Sequence, residues 1–399
     1  MKTRSLTFAL LLSLTSYIFP QAEGAVPFLT IQQSPFLQGA GQTGVAIITN
    51  DPIGFYYNPA ILGLTARTNH VSLLFLPKKV DWLGFNGISI NSYGFNFGYN
   101  FDKSIPLSVG AGFIHNNFKY DIYQDESFNS FSIGASLNYP VSLSLGFSLK
   151  KFSSTFFGTT MVNPDSIRAY EASGTAYDFG ALVNVPVSDL LFKDARYDFS
   201  DESFLAPKFN FALGYSLTNL GKEISYSDRN QKDPIPRTAK LGYSFNFGFD
   251  YNFNGKNISI FDYTFTAEAS DILVQRDSNR NLTYKGLLGD INIWKNLVEL
   301  KYDNNTIIHK GHIFNLFETI RIAFGNFTGK GYENNPKTNA LVFSTDGLFK
   351  YFHNADDNSI FGFITGHISI EYTTSTIFAG SGIDTDYKAI SLFYKNIVL

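Results

Sequence analysis

Strict alternation of apolar and polar residues is the feature of this sequence that most limits its fold. In Ser92–Asp102 every second residue is Tyr or Phe, and the residues between them are Ser, Gly, Asn or Asp. The same period of two runs through Ser130–Tyr139, Ser142–Lys150, Phe209–Thr218 and Gly242–Phe253. Because successive side chains of a strand point to opposite faces, each run predicts a strand with one apolar and one polar face.

Less regular alternation adds further candidate strands, among them Ile291–Tyr302, His312–Phe324, Thr338–Tyr351 and Phe361–Thr373. With these included, the sequence offers about fifteen strands. No segment longer than a short loop piece has the 3.6-residue periodicity of an amphipathic helix. The predicted fold class is therefore all-β.

Two architectures accommodate such strands. A secreted sandwich or propeller hides the apolar faces in a core and uses strands of about 5–6 residues. A transmembrane barrel turns the apolar faces to lipid and needs about 9–11 residues per strand. Aromatic residues make up 17% of the chain and charged residues 16%, whereas a soluble domain carries about 25% charged residues. The long runs and this composition favour a transmembrane antiparallel β-barrel, with a soluble β-protein as the alternative.

Residues 1–24 have the layout of a secretory signal peptide. Lys2 and Arg4 precede the apolar run Leu6–Phe19, and Ala22-Glu23-Gly24 places small residues at positions −3 and −1 of a cleavage site. The run is shorter than the ~20 residues of a spanning helix, and an uncleaved anchor helix is the alternative. The prediction is export of the mature chain.

The two faces of the predicted strands indicate what each face meets. Phe95, Phe97, Phe245 and Phe247 are predicted to face lipid. The opposite faces carry mostly Gly, Ser and Asn, whereas an open ion-conducting pore usually has charged rings. Small neutral side chains favour a lumen that is filled by part of the chain itself. The alternative is that glycine only eases the curvature of the wall.

The segment 25–66 differs in texture from the predicted barrel, residues 67–399. Three glycines lie within six residues, and Asn58-Pro59 is a turn signal because proline restricts the backbone of both residues. This glycine-rich composition and the turn signal predict a plug, or hatch, that folds into the lumen, with a surface leader strand as the alternative. The candidate plug residues are Gly39, Gly41, Gly44, Asp51, Asn58, Pro59 and Ala60.

Long connections are predicted at Lys151–Gly174, Pro186–Lys208 and Asn219–Pro236. These stretches hold most of the charged residues between positions 150 and 240. Such loops are expected in water at the two rims of the barrel, where function concentrates.

Several sequence blocks follow one another in a recognisable order. They are Gly39–Ala46, Asp51, Tyr56–Ala60, Leu145–Ser154, Tyr177–Leu182, Leu213–Gly221 and Pro234–Tyr243. In this order the blocks resemble the PorV/PorQ-type outer-membrane barrels of the Bacteroidetes–Chlorobi group, which are relatives of the FadL transporters. Ile61 is a departure, because the family usually has a small residue after Asn-Pro-Ala.

The resemblance implies a FadL-like barrel of about 14 strands with an N-terminal plug. It places the exported barrel in the outer membrane of a Gram-negative-type cell, with outer-membrane lipid as a partner. It also implies a non-enzymatic component or shuttle of the type IX secretion system, whose partners are the translocon and the C-terminal β-domains of exported cargo proteins. FadL-type relatives instead pass long-chain fatty acids or aromatic hydrocarbons through a lateral opening in the wall. Transport of hydrophobic small molecules is therefore the alternative function.

The sequence also argues against several chemistries. The absence of cysteine excludes thiol nucleophiles, and a net charge of −3 gives no electrostatic footprint for nucleic acid. His309 and His312 are three residues apart, so on a strand they point to opposite faces and make a poor metal site. Asp356-Asp357 is a weak calcium candidate, with a solvated loop as the alternative. No catalytic residue, metal or cofactor is predicted.

Overall fold

The structure is a computed structural model. It describes residues 24–101, 105–121, 123–159, 167–200, 202–226, 232–253, 255–276, 282–353 and 359–397. The predicted signal peptide lies outside the described residues apart from Gly24, and so does the predicted Asp356-Asp357 candidate.

Among the described residues, fourteen antiparallel strands close into one barrel, because β1 pairs with both β14 and β2. The barrel strands are β1 His70–Phe75, β2 Ile88–Asn100, β3 Leu107–Tyr120, β4 Gln124–Asn138, β5 Ser142–Thr159, β6 Ile167–Pro186, β7 Ser203–Gly221, β8 Thr238–Phe253, β9 Lys256–Ile272, β10 Thr306–Leu316, β11 Ile320–Gly329, β12 Lys337–Ser344, β13 Ile368–Ile377 and β14 Thr385–Lys395. Each strand pairs with its neighbour in the chain, so the topology is up-and-down. The all-β antiparallel barrel predicted from the alternation is confirmed.

Two rims result from this topology. The terminal rim holds the start of β1 and the end of β14, and the distal rim holds the opposite ends of the strands. Short strands Val80–Asp81 and Tyr197–Ser200 extend the sheet, and Val274–Arg276 pairs with Leu282–Tyr284 in a separate hairpin at the distal rim.

Helical structure is short and lies between the strands or ahead of them. The α-helices are α1 Pro35–Gly39, α2 Ile61–Thr65, α3 Val187–Leu191, α4 Asp346–Phe352 and α5 Ile360–His367; the 3₁₀-helices are Pro27–Thr30, Gly54–Tyr56 and Trp82–Gly84; the π-helix is Ile293–Val298. No helix in the described part of the chain combines the length and hydropathy that crossing a bilayer requires.

The register keeps the two faces of the wall apart. Phe131 on β4 pairs with Leu149 on β5 and both point outward, whereas Ser132 pairs with Ser148 and both hydroxyls are buried inside, 2.7 Å apart. This is the arrangement that the period of two predicts.

The predicted connection Lys151–Gly174 is wrong, because β5 continues to Thr159 and β6 begins at Ile167. Beyond Lys150 the alternation is inverted. Phe152 is buried inside, and Lys151 and Ser153 are exposed outside. The strand therefore continues past the apolar band of the wall, and its outward residues become polar. A prediction that follows apolar outward residues therefore ends the strand too early.

Of the other two predicted connections, one is shorter than expected and one largely agrees with the structure. β7 already begins at Ser203, inside the predicted connection Pro186–Lys208. The predicted connection Asn219–Pro236 largely agrees, since β7 ends at Gly221 and β8 begins at Thr238.

Several weak strand predictions are wrong. Ile291–Tyr302 contains the π-helix, whose start is capped by the Asn292 side chain accepting a hydrogen bond from Lys295 N at 2.9 Å. His312–Phe324 is interrupted by a turn at Phe317 and Glu318, which both have positive φ. Thr338–Tyr351 and Phe361–Thr373 are each part strand and part helix. A short apolar run does not by itself distinguish a strand from a helix.

The main hydrophobic core lies inside the distal half of the barrel. In the leading segment, Tyr56 stacks on Phe128 of β4 with ring centroids 5.5 Å apart, and the ring of Phe28 packs against Phe128 in a tilted arrangement at 6.2 Å. Phe152 and Trp82 belong to the same cluster. The inverted ends of the strands thus provide the apolar lining of this half.

Candidate functional site

Residues 25–66, called the N-terminal segment below, run along the inner face of the barrel wall. Five glycines paired strand to strand from β2 to β6 form a row on that face. They are Gly98, Gly110, Gly134, Gly146 and Gly180. A Cβ atom added at Gly134 would lie 2.7 Å from Pro59 O, and one at Gly98 would lie 2.6 Å from Ala66 Cα. The glycine row therefore leaves just enough room for the backbone of residues 58–66.

Wall side chains hydrogen-bond to the backbone of the N-terminal segment. Hydroxyl groups donate to carbonyl oxygens at 2.6–2.9 Å from Ser108 to Gly63, from Ser144 to Ala60, from Ser244 to Ala46 and from Thr338 to Gly39. Backbone groups of an irregular segment must find partners when they are buried. The serines and threonines of the inner faces supply those partners.

Glu268 of β9 holds the glycine-rich stretch of the segment. Its Oε2 atom accepts hydrogen bonds from Gly44 N at 3.0 Å and from Val45 N at 2.9 Å. Its Oε1 atom lies 3.2 Å from Nζ of Lys240, and both side chains are almost fully buried. His309 lies nearby, with Nδ1 3.0 Å from Gly41 O.

Asp51 and Asn58 organise the segment internally. Asp51 is buried and accepts hydrogen bonds from Ser34 Oγ at 2.7 Å and from Ile53 N at 2.9 Å. Burial raises the pKa of the Asp51 carboxyl above its usual value, and the two hydrogen bonds oppose that shift. Asn58 Nδ2 donates to Val45 O at 2.7 Å, and its Oδ1 accepts from Ala60 N at 3.0 Å.

The structure places the sequence-predicted plug residues inside the barrel, against two stretches of the inner wall. Gly39, Gly41 and Gly44 contact β9–β12, whereas Pro59 and Ala60 lie on the glycine row. On the opposite face of the wall, Phe95, Phe97, Phe245 and Phe247 are between 37% and 47% exposed. A plug role for the first group and lipid contact for the second remain predictions.

A cavity of about 420 Å³, called the distal cavity, lies between the N-terminal segment and the distal rim. Its lining is mainly apolar and aromatic. The apolar residues include Phe28, Leu29, Ile31, Trp82, Ile88, Phe118, Tyr332 and Phe378. Lys150 and Lys240 also reach it, as do Asn219 and His309.

Of the three lysines that line the distal cavity, Lys150, Lys240 and Lys330, the first two form buried ion pairs. Lys150 Nζ lies 2.8 Å from Asp178 Oδ2 and 4.3 Å from the centre of the Tyr56 ring. Lys240 is paired with Glu268. The charges of Lys150 and Lys240 are therefore neutralised within the wall.

The Asp178 pair sits at an irregularity of the wall. The register between β6 and β7 shifts by one residue after Tyr177, and Asn219 adopts a positive φ of 58°. Asn219 N donates to Asp178 Oδ1 at 2.8 Å, and Asn219 Oδ1 accepts from Lys150 Nζ at 3.0 Å. Such a bulge re-aims side chains and interrupts the ladder locally.

A second cavity, called the terminal basin, has a volume of about 490 Å³ and opens at the terminal rim. Its lining is strongly charged. Lys208 Nζ lies 2.8 Å from Asp262 Oδ1, and Lys395 Nζ lies 2.7 Å from Asp346 Oδ2. Further ion pairs there are Arg321 with Glu371 and Lys350 with Glu318.

Sequence reasoning did not identify Lys150, Asp178, Lys240, Glu268 or His309 as site residues. A usable signal was present, because Lys150 and Lys240 occupy inward positions of the alternating runs Ser142–Lys150 and Lys240–Gly248, whose other inward residues are small. The partners were not readable, since Asp178 and Glu268 lie diagonally across neighbouring strands and only the register brings them into contact. His309 is buried inside the barrel, and His312 lies on the outer face against Phe265 and Phe324.

No protein-family model matches this sequence, and no curated protein matches it. Solved structures similar to this chain include the toluene transporter TbuX of Ralstonia pickettii, at 11% identity and a TM-score of 0.39, covering 92% of this chain and 98% of that one. A FadL homologue of Pseudomonas aeruginosa has 10% identity and a TM-score of 0.40, covering 94% and 99%. The CymD monoaromatic hydrocarbon channel has 10% identity and a TM-score of 0.42, covering 92% and 97%.

Proposed function

We propose that this chain is an outer-membrane barrel that passes hydrophobic small molecules, with residues 25–66 as its plug. The observation that carries the proposal is the distal cavity, an apolar chamber that the N-terminal segment separates from the charged terminal basin. Its volume of about 420 Å³ falls within the roughly 300–1,000 Å³ of small-molecule sites.

The outer wall supports placement in a membrane. Among the described residues, each of the fourteen barrel strands pairs on both sides, so the closed barrel avoids the open sheet edge that lipid would not tolerate. Outward-facing residues at mid-wall are large and apolar, as at Phe97, Phe131, Leu145 and Phe247. Water would solvate such a continuous apolar band poorly, whereas a bilayer matches it.

The electrostatics of the distal cavity favour a neutral ligand. Lys150 and Lys240 are neutralised by Asp178 and Glu268, so neither offers an uncompensated cation to a carboxylate. The aromatic rings of Trp82 and Tyr332 and the apolar side chain of Ile31 supply the remaining contacts. We therefore infer that uncharged aromatic or aliphatic hydrocarbons bind there in preference to fatty-acid anions.

Passage requires that the plug move or that the wall open. The N-terminal segment is held by many hydrogen bonds to the wall, and its full release would expose their buried donors and acceptors. The bulge at Asp178 and Asn219 lies beside the distal cavity and is a local break in the ladder. A ligand leaving sideways there would disturb few of the contacts that hold the plug.

Tryptophan fluorescence tests the proposal directly. The chain has two tryptophans, and the variant Trp294→Phe leaves Trp82, which lines the distal cavity. Titration of the purified barrel with toluene should change the Trp82 emission saturably, and palmitate should do so more weakly. The matched variant Ile31→Arg, which fills the cavity with a charged side chain, should abolish the response to toluene.

Two results would contradict the proposal. A Trp82 emission that no hydrocarbon changes would remove the ligand from the cavity. Recovery from native membranes of exported proteins that share a C-terminal β-domain, with an empty cavity, would instead favour the type IX secretion role implied by the sequence resemblance.

A further inference from the structure

The connection between β9 and β10 folds back against the outside of the barrel. Residues 285–302, called the distal flap, include the π-helix and lie on the outer face of β7–β10 at the distal rim. Ile291 and Leu297 are buried against Ala239, Ala269 and Ile308 of the wall.

Polar contacts fix the flap in this position. Tyr215 of β7 donates from its hydroxyl to Leu287 O at 2.7 Å. Lys285 Nζ lies 3.0 Å from Asp271 Oδ2 and 2.7 Å from Asp290 Oδ2, and Asn296 Nδ2 donates to Lys301 O at 2.8 Å. The flap is therefore an ordered part of the wall at this rim.

The side of the flap that faces away from the barrel is also apolar. Leu287, Ile293, Trp294 and Val298 are each more than half exposed, and Trp294 is 67% exposed. The indole N–H of Trp294 donates to Glu299 Oε1 at 3.0 Å, which leaves its ring as an apolar surface. Two apolar sides on one short element require a nonpolar neighbour beyond the barrel.

We propose that the distal flap is a lipid-embedded anchor that sets the depth of the barrel at the distal membrane interface. The proposal rests on the proposed outer-membrane location and adds a binding surface to it. The occupant is the interfacial layer of the lipid leaflet at the distal rim.

Continuity with the wall identifies lipid as the occupant. Leu213 and Phe245 are exposed on the same strands that carry the flap, and they lie closer to mid-wall than Leu217 and Leu241, which the flap covers or contacts. The exposed surface thus runs from the apolar band onto the flap.

The chemistry of the flap also suits an interface. A tryptophan with an apolar ring and a bonded N–H is typical of the aromatic belt of membrane proteins. Lys295 and Lys301 lie on the same element and pair with Asp303 and Glu299, so charged groups border the apolar patch without interrupting it. An element with an apolar patch bordered by charged groups is expected to lie in the plane of the membrane–water interface.

Depth-dependent quenching of Trp294 tests the proposal. In the variant Trp82→Phe, Trp294 is the sole tryptophan of the chain. The full-length mature protein is reconstituted into bilayers that contain phosphatidylcholine brominated near the headgroup end or near the end of the acyl chain. Trp294 should be quenched more strongly by the first lipid, and its Stern–Volmer constant for aqueous iodide should be severalfold lower than that of free tryptophan.

A second variant separates the anchor from the membrane location itself. Trp82→Phe, Trp294→Phe and Phe247→Trp together place one tryptophan at mid-wall, where lipid brominated near the end of the chain should quench it. Iodide quenching of Trp294 without quenching by brominated lipid would overturn the anchor if the mid-wall tryptophan still responds. Such an exposed patch would then be free for a protein partner. Failure of both tryptophans to respond to brominated lipid would overturn the membrane location and the anchor with it.

Discussion

The distal cavity and the terminal basin lie in one barrel and have similar volumes, but the ion pairs of the two cavities differ in how far they are exposed. In the distal cavity the ion pairs Lys150–Asp178 and Lys240–Glu268 are almost fully buried in the wall. In the terminal basin the side chains of Lys208 and Lys350 remain 30% and 42% exposed beside their partners.

The difference follows from where the N-terminal segment lies. Its apolar side chains Phe28, Leu29 and Tyr56 fill the distal half, so charges there must be neutralised at short range. The terminal half is open to water, which screens its ion pairs and makes each of them worth little. One barrel can therefore hold an apolar cavity next to a charged one, because the N-terminal segment lies between them.

The largest expected effect comes from breaking a buried pair. Glu268→Gln leaves Lys240 as an uncompensated buried cation and should lower the free energy of unfolding by about 3–5 kcal/mol. Urea unfolding in vesicles measures this loss. The matched change in the terminal basin, Glu318→Gln, should cost only about 0–1 kcal/mol, because its partner Lys350 is part-exposed. Equal losses in the free energy of unfolding for the two variants would contradict the difference between the buried and the part-exposed ion pairs.

The next effect extends the comparison from the lumen to the outer wall. Phe97→Arg should cost about 2–4 kcal/mol of stability if Phe97 faces lipid near the bilayer midplane. Phe85 is a suitable control, since it is 36% exposed where Phe97 is 37% exposed but lies in the connection at the distal rim. Phe85→Arg should leave the urea midpoint nearly unchanged. An unchanged midpoint for Phe97→Arg would mean that the outward face does not meet lipid.

A smaller expected loss of stability tests how the glycine row holds the N-terminal segment between the two cavities. Gly146→Val would push a side chain into the backbone of Pro59 and Ala60 and should destabilise the barrel by about 1–3 kcal/mol. Displacement of the segment should also raise single-channel conductance in planar bilayers. Gly286→Val is the control, because no atom lies within 4 Å of a Cβ added at Gly286. If the Gly146→Val barrel kept its stability and did not conduct, the position of the N-terminal segment would not depend on the space that the glycine row leaves.

The smallest effect is a change in pH dependence. Burial raises the pKa of Asp51 above the unfolded value of 3.8, so its contribution favours the folded state at low pH and is lost as pH rises through the folded pKa. Asp51→Asn cannot ionise and should therefore flatten the stability profile above about pH 4. Denaturant midpoints measured across that range provide the check, and identical profiles for the two proteins would contradict this account of Asp51.

The fold was readable from the sequence wherever one face of a strand meets an apolar environment and the other does not. Ser130–Tyr139 and Ser142–Lys150 illustrate this, since every second residue is apolar and faces outward. The prediction failed at Lys151–Gly174 and at Ile291–Tyr302. In the first, the strand leaves the apolar band and the pattern inverts; in the second, packing on the outer wall and the Asn292 cap select a π-helix.

The sequence by itself determined the alternating strands, and hence which side chains share a face, because a strand fixes a period of two regardless of its neighbours. It also marked the glycine-rich segment and Asn58-Pro59 as distinct from the strands. Tertiary structure alone decided that the row from Gly98 to Gly180 aligns beneath that segment, because register between strands depends on closure of the whole sheet. The same closure brought Glu268 to Lys240 and Gly44, and so created two chambers of opposite character from one repeated pattern.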